Sequence, residues 1–413
     1  MCIPQAPSYI RDFEQLGFGM FVHLGLYSDL QMGEWAYHIH HLSPTDYRAR
    51  KQNFAVTGLD EIIDTAKSAG CRYVILTTRH HDGFSLYDTR GLSDFDVMHT
   101  PYGKDLVAEF VSRCREADLV PFLYHTTLDW SREDFETDFD SYLDYLYQSV
   151  EILCTSYGKI GGLWFDGNWA KKDADWKEDR LYAMIRYHQP DAMIINNTGL
   201  HARGQTGHPQ IDAVTFERGM AKPPDRNGME KYIAGEMCQT LCDHWGAADD
   251  INYKSVGQLV EELCLCRKVG ANYLLNIAPN ANGTVPKLQQ GIMECLGRWM
   301  AVYGKAIYQG RPYLCWEDKR EFLLRDVSDA SIAYLFRFDP GHSGGDDNVL
   351  PVFDGDDTLI LDGVEEKVLS MTLMDNGRQI PFTQQEKRLT VCVPGFPYGK
   401  GYCVRVVEIR FAT

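Results

Sequence analysis

The stretch Phe18-Gly19-Met20-Phe21-Val22-His23-Leu24-Gly25 decides the fold. It is an apolar run that stops at a histidine. A doubly wound nucleotide-binding sheet needs a glycine-rich phosphate turn after its first strand. Phe21-Val22-His23-Leu24-Gly25 offers no such turn. Seven more apolar, β-branched or aromatic runs follow, at residues 73–78, 120–125, 162–166, 193–197, 213–217, 233–237 and 273–277. They are almost continuously apolar, as expected of a parallel sheet covered on both faces. Amphipathic stretches separate them. Residues 104–118 place Leu106, Val107, Phe110, Val111 and Cys114 on one helical face. Residues 140–157 and 176–188 read alike. Ser43-Pro44 and Ser255-Val256-Gly257-Gln258 are helix starts, and Pro286 opens a helix to about residue 303. Strand and helix alternating eight times predicts an α/β chain with a (β/α)₈ TIM-like barrel.

The rhythm changes beyond residue 312. Short alternating segments appear at 332–338, 358–361, 367–373, 389–393 and 403–409. Gly341–Asn348, Asp354–Asp357 and the hairpin signal Asp375-Asn376-Gly377 break them up. The expected domains are therefore a catalytic barrel over 1–312 and a C-terminal antiparallel β-sandwich over 313–413.

Composition narrows the function. The chain has 413 residues, 44% hydrophobic and 24% charged, which is ordinary for a globular protein. Its net charge of −17 makes it a poor partner for nucleic acid or an anionic membrane. No run of about 18 apolar residues exists to span a bilayer. The twelve cysteines do not form a disulfide scaffold. Cys71, Cys114, Cys154 and Cys295 lie in apolar runs and read as small buried hydrophobes. Met1-Cys2-Ile3-Pro4 has no basic region leading into an apolar stretch. The expectation is a cytoplasmic, bacterial protein, with a homo-oligomer also compatible.

Catalytic groups of such a barrel gather at the C-terminal ends of its strands. Here nearly every run ends in polar residues: His23, His80-His81, Tyr124-His125, Asp166, Asn196-Asn197, Glu217-Arg218, Glu236 and Asn276. Asp166, Glu217 and Glu236 could each be a turn or ion-pair residue. Three acids at three strand ends can also converge, and a pair of carboxylates flanking a bond is what glycoside hydrolysis requires. The histidines suit either a neutral sugar or a metal-dependent barrel hydrolase. The first run gives His-Leu-Gly rather than His-x-His, so no metal and no cofactor are expected. Trp35, Trp130, Trp164, Trp169 and Trp245 lie in or near the loops after the strands and suit stacking on a sugar. Glu34, in Gly33-Glu34-Trp35, adds an acid beside an aromatic. If no carboxylate pair worked, the same set would describe a catalytically silent carbohydrate-binding protein.

Five segments resemble the α-L-fucosidases of glycoside hydrolase family 29. They are Phe18-Gly19-Met20-Phe21-Val22-His23-Leu24-Gly25, Gly33-Glu34-Trp35, residues 77–84 (Thr-Thr-Arg-His-His-Asp-Gly-Phe), residues 163–167 (Leu-Trp-Phe-Asp-Gly) and residues 272–279 (Asn-Tyr-Leu-Leu-Asn-Ile-Ala-Pro). The resemblance implies a retaining double displacement on fucosylated oligosaccharides or glycoconjugates. It matches Asp166 to the nucleophile and Glu217 to the acid/base, with Glu236 the alternative. It matches His23, Glu34, Trp35, His80, His81, Tyr124 and Trp164 to the fucose-binding shell, and His125 and Trp245 are expected beside them. The chain departs from the pattern after the fifth run. Where many members have Asn-Asp-Arg-Trp, it has Asn196-Asn197-Thr198-Gly199. The usual fucose-contacting arginine is missing there: either Arg218 or Arg203 substitutes for it, or the pocket is altered.

Overall fold

The computed structural model describes residues 4–343 and 358–412. Eight parallel strands close a barrel in chain order: β1 (Phe18–Val22), β2 (Tyr73–Arg79), β3 (Val120–Thr126), β4 (Gly162–Asp166), β5 (Met193–Asn197), β6 (Ala213–Thr215), β7 (Ala234–Thr240) and β8 (Asn272–Ile277). β1 closes the ring by pairing with β8, Phe21 opposite Asn276. Each strand follows an expected run. The largest differences in bounds are β6, which stops at Thr215, and β7, which continues to Thr240.

Side chains alternate across a strand, so parity decides what faces the barrel axis. The interior holds Phe21, Ile75, Phe122, Tyr124, Trp164, Met193, Ile195, Ala213, Ala234 and Cys238. Ile10 and Phe13, from the helix Ser8–Leu16, pack into the same cluster, and the Phe13 ring meets Tyr73 and Phe122. Gly19 lies where the Tyr73 ring crosses β1: a Cβ there would sit 2.3 Å from Tyr73 Cζ. Neither backbone nor ring can yield in a packed core. Gly19→Ala is therefore expected to destabilise the protein by about 1–3 kcal/mol. Thermal melting checks this, and an unchanged midpoint would refute the packing argument.

Helices join most strands. Asp105 caps Leu106–Glu116 by accepting from the Ala108 N–H at 2.9 Å. Phe139–Ser156 and Glu178–His188 follow. The expected alternation fails twice. Residues 198–212, after β5, and 216–233, after β6, contain no helix. Gly199, Gly204, Gly207 and Pro209 punctuate the first, and Gly219, Pro223, Pro224 and Gly228 the second, which disfavours helix in both.

The chain forms two compact units, Met1–Lys254 with Ala271–Glu294, and Ser255–Gly270 with Cys295–Thr413. The junction expected at 312/313 falls inside the strand Gly310–Cys315. The second unit also takes in the helix Val256–Lys268, capped by Ser255 accepting from the Gln258 N–H. Its five-stranded antiparallel sheet orders Val368–Leu373, Val404–Phe411, Ile332–Phe338, Phe322–Asp326 and Gly310–Cys315. A three-stranded sheet orders Thr358–Asp362, Arg388–Cys392 and Phe382–Gln385. Leu335, Met371, Val407 and Ile409 of one pack with Leu359, Leu361, Leu389 and Val391 of the other, which makes the expected sandwich. Asp375-Asn376-Gly377 forms its turn, with Gly377 at φ +72°. Of the other expected breakers, 344–348 and 354–357 lie outside the described residues.

Among the described residues no helix is long and apolar enough to cross a membrane. Eleven described cysteines are free thiols. Cys71, Cys114 and Cys154 are buried as expected, but Cys295 is exposed. It lies on the helix Lys287–Gln309 between buried Met293 and Leu296, on the face those two leave to solvent.

Candidate active site

The C-terminal ends of the strands open into a cavity of about 670 Å³, within the range of small-molecule sites. Strand parity places the acids. Trp164 points inward, so Asp166, two residues on, does too. Met193 and Ile195 point inward, which brings Asn197 to the same mouth. Ala213 points inward, and its parity carries through Thr215 to Glu217.

Asp166 and Glu217 meet across Asn197. The Asn197 amide nitrogen donates to Asp166 Oδ1 at 3.2 Å and to Glu217 Oε2 at 2.9 Å. One nitrogen in hydrogen-bond reach of both holds these acceptor oxygens within about 6 Å of each other. Asp166 Oδ1 also accepts from Trp169 Nε1 at 2.8 Å. Its Oδ2 accepts from the Tyr124 hydroxyl at 3.2 Å and stands 3.4 Å from His81 Nε2. Burial alone would raise the Asp166 carboxyl. His81, Trp169 and Asn197 together outweigh burial and hold it below its ordinary value. Glu217 goes the other way: burial, then the Asp166 charge, push it up. Two carboxyl groups side by side are thus split, one held below and one pushed above the ordinary carboxyl value.

A left-handed residue terminates the Glu217 segment. Arg218 has φ +47°, an uncommon conformation for a side-chain-bearing residue. It is held there by its N–H to the Cys238 carbonyl at 2.9 Å, with its guanidinium 5.5 Å from the centre of the Trp245 ring. Arg218 lines the cavity, and its guanidinium donates to the Asp243 carbonyl. Arg203 instead donates to the Glu217 backbone carbonyl.

The histidines are mostly neutral donors and acceptors. His23 Nδ1 lies 2.6 Å from Asn276 Oδ1. The Asn276 amide nitrogen is committed to the Trp245 carbonyl, so its oxygen accepts and His23 carries the proton on Nδ1. Nε2 is left as an acceptor. Burial holds His23 down to about 4, and burial with His81 and His23 holds His80 well below its usual range. His80 Nδ1 is buried without a partner, so a ligand hydroxyl there would satisfy it. Alternation would send His80 and His81 to opposite sides. Both nevertheless line the cavity, because the β2–β3 register shifts between Thr77 and Arg79 and β2 ends there. Glu34 Oε2 accepts from the N–H groups of Trp245 and Gly246, at 3.1 and 2.7 Å. Trp35 stacks on Trp169 at 6.0 Å, giving the cavity an aromatic wall.

Two expected residues lie elsewhere. His125 is the neighbour of inward Tyr124 and points outward, where its Nε2 meets Ser149 Oγ at 2.9 Å. It is a buried structural group, not a cavity residue. Glu236 sits in the sealed barrel interior, accepting from the Tyr73 hydroxyl at 2.6 Å and from Trp164 Nε1 at 2.9 Å. Burial pushes its carboxyl up to about 7. It pairs in register with Thr215, so it lies one inward layer below Glu217. Sequence reading marked Asn197 and Trp169 only as a strand-end residue and a loop aromatic. Inward parity from Ile195 was the signal for the first. No local signal marks Trp169 as the partner of Asp166. Among the described residues no three His, Cys, Asp or Glu side chains group as metal ligands.

A parallel barrel whose mouth sets a lowered carboxyl beside a raised one, among histidines and tryptophans, carries the carboxylate pair that glycoside hydrolysis requires. The Alpha-L-fucosidase family profile matches residues 5–305, and the chain belongs to that family. Tissue alpha-L-fucosidase of Rattus norvegicus is 24% identical over 357 residues, covering 78% of this chain and 75% of that protein. The solved Alpha-L-fucosidase isoenzyme 1 from Paenibacillus thiaminolyticus superposes with TM-score 0.84 at 27% identity, covering 98% of this chain and 99% of that one. An alpha-L-fucosidase structure from Bacteroides thetaiotaomicron shares the fold, with TM-score 0.81 at 21% identity, covering 100% of this chain and 96% of that one. The chain is accordingly a fucosidase-type glycoside hydrolase.

Proposed function

We propose that the protein hydrolyses terminal α-L-fucosides of oligosaccharides or glycoconjugates with retention of configuration. The observation that carries this reading is the bridging of Asp166 and Glu217 by one amide nitrogen. Oxygens held within about 6 Å of each other by one nitrogen suit the ~5–5.5 Å of retaining enzymes and fall short of the ~6.5–9.5 Å that an inverting enzyme needs to seat a water. The opposite shifts of the two carboxyls support a division of roles. Asp166, ionised, attacks the anomeric carbon. Glu217, protonated, gives its proton to the departing glycosidic oxygen as that bond breaks. A water then enters, Glu217 takes its proton, and the Asp166–sugar ester is cleaved to release fucose. His23 Nε2 and the unpartnered His80 Nδ1 are positioned to meet sugar hydroxyls, and the aromatic wall suits apolar sugar faces. A Thermotoga maritima fucosidase of the same fold has been solved in complex with fucose.

Proton NMR during hydrolysis of an aryl α-L-fucoside tests this. The α-anomer of fucose is expected to appear first, with the β-anomer growing in by mutarotation. Initial release of the β-anomer would overturn the retaining reading.

A further inference from the structure

We propose that Asn197 is a positioning residue that holds Asp166 and Glu217 at their working separation and donates in turn to whichever of them carries the negative charge. The role rests on the retaining reading above. Asn197 stands where the chain departs from the family pattern, so the resemblance assigned it nothing.

The hydrogen-bond network fixes which way its amide points. The Asn197 oxygen accepts from the Gly199 N–H at 3.2 Å and from the Thr215 hydroxyl at 2.9 Å. A backbone N–H only donates, so the oxygen must face Gly199 and the NH₂ must face the carboxylates. Its two protons then serve one acceptor each, Asp166 and Glu217. Asn197 is buried at the end of β5, and these four partners leave it little freedom to turn.

The reaction passes a charge between those acceptors. Before attack Asp166 is the anion. As its oxygen bonds to the sugar and Glu217 gives up its proton, the charge moves to Glu217. Hydrolysis returns it. A fixed NH₂ spanning both oxygens stabilises the anion in each state without moving, which is preorganisation in the sense that lowers barriers. Hydrogen bonds to an anion favour ionisation, so Asn197 holds both carboxyls lower than they would otherwise be. The other titratable or charged groups facing the pair are His23, His81, Tyr124, Cys238, Arg203 and Arg218. All of them remain when Asn197 is changed.

Asn197→Leu is the sharpest test, because it is close to isosteric and removes both donors without adding charge, whereas an aspartate here is what many family members carry. The pH profile of kcat/KM on an aryl α-L-fucoside reads the outcome. Both limbs are expected to move to higher pH, with kcat down by about 10-fold or more. Asn197→Ala, which also removes the donors, is expected to move both limbs the same way, and it decides the matter should the Leu variant not fold. A profile lowered in height with both limbs in place would overturn the proposal and leave Asn197 a structural residue. The parent enzyme's product anomer is read separately. A β-anomer there rejects the retaining reading, whereas an α-anomer with unmoved limbs rejects only the role of Asn197.

Discussion

Asp166→Ala is expected to lower kcat on an aryl α-L-fucoside by roughly 10⁴-fold, the scale on which removal of a nucleophile is felt. The physical case rests on position and charge. The Asp166 carboxylate is the low member of the pair, supported by Trp169, Asn197, Tyr124 and His81. Those donors hold it in one orientation at the cavity floor. Truncation to alanine removes the attacking oxygen and leaves a space beside C1. Added azide is expected to enter that space, restore part of the turnover and give a fucosyl azide in place of fucose. Wild-type turnover in the variant would refute the assignment, and azide without effect would argue against direct attack at this position.

The second large effect is expected at Glu217. Replacing it with alanine should lower kcat by about 10²–10⁴-fold, the usual worth of a general acid and base. The loss should depend on the leaving group. An aryl fucoside with a highly acidic phenol needs little protonation, so its first step should survive and a burst should precede slow turnover. A fucosylated disaccharide should lose both steps. The pH dependence follows from the two shifts. Asp166 must be ionised, and its carboxyl is lowered, so activity falls only as pH drops through that depressed value. Glu217 must be protonated, and its carboxyl is raised, so activity holds until pH climbs through that elevated value. The alkaline limb is therefore the signature of Glu217 and should vanish in the variant. Glu236→Gln should keep that limb, because Glu236 is sealed beneath Trp164 and cannot reach a leaving oxygen. A limb that followed Glu236 would reverse the assignment.

Much of this was legible in residue order. A strand buried on both faces must be a nearly unbroken apolar run, so all eight barrel strands announced themselves. The helixless segments after β5 and β6 were legible too, in their glycines and prolines, once composition is weighed against the expected alternation. Parity is the lesson of His125 and Asn197. With Tyr124 inward its neighbour must face out, and with Ile195 inward Asn197 must face in. Strand length is the lesson of Glu236. Its run reads as ending near residue 237, but β7 continues to Thr240, which leaves Glu236 inside the barrel rather than at its mouth.

The sequence by itself determined the barrel, the sandwich after it, the family and the residues that end the strands. Those are properties of periodicity and local motif, and they travel with the chain. Only the tertiary structure decided which acids form the pair. The choice between Glu217 and Glu236 turns on the register of β6 against β7, where Thr215 lies opposite Glu236. Two residues of rise separate the layers, about 6–7 Å. That distance divides a carboxyl at the cavity wall from one in a closed core. It also divides a group whose charge a substrate can meet from one whose charge burial suppresses. No single strand contains this information, because register belongs to the closed ring.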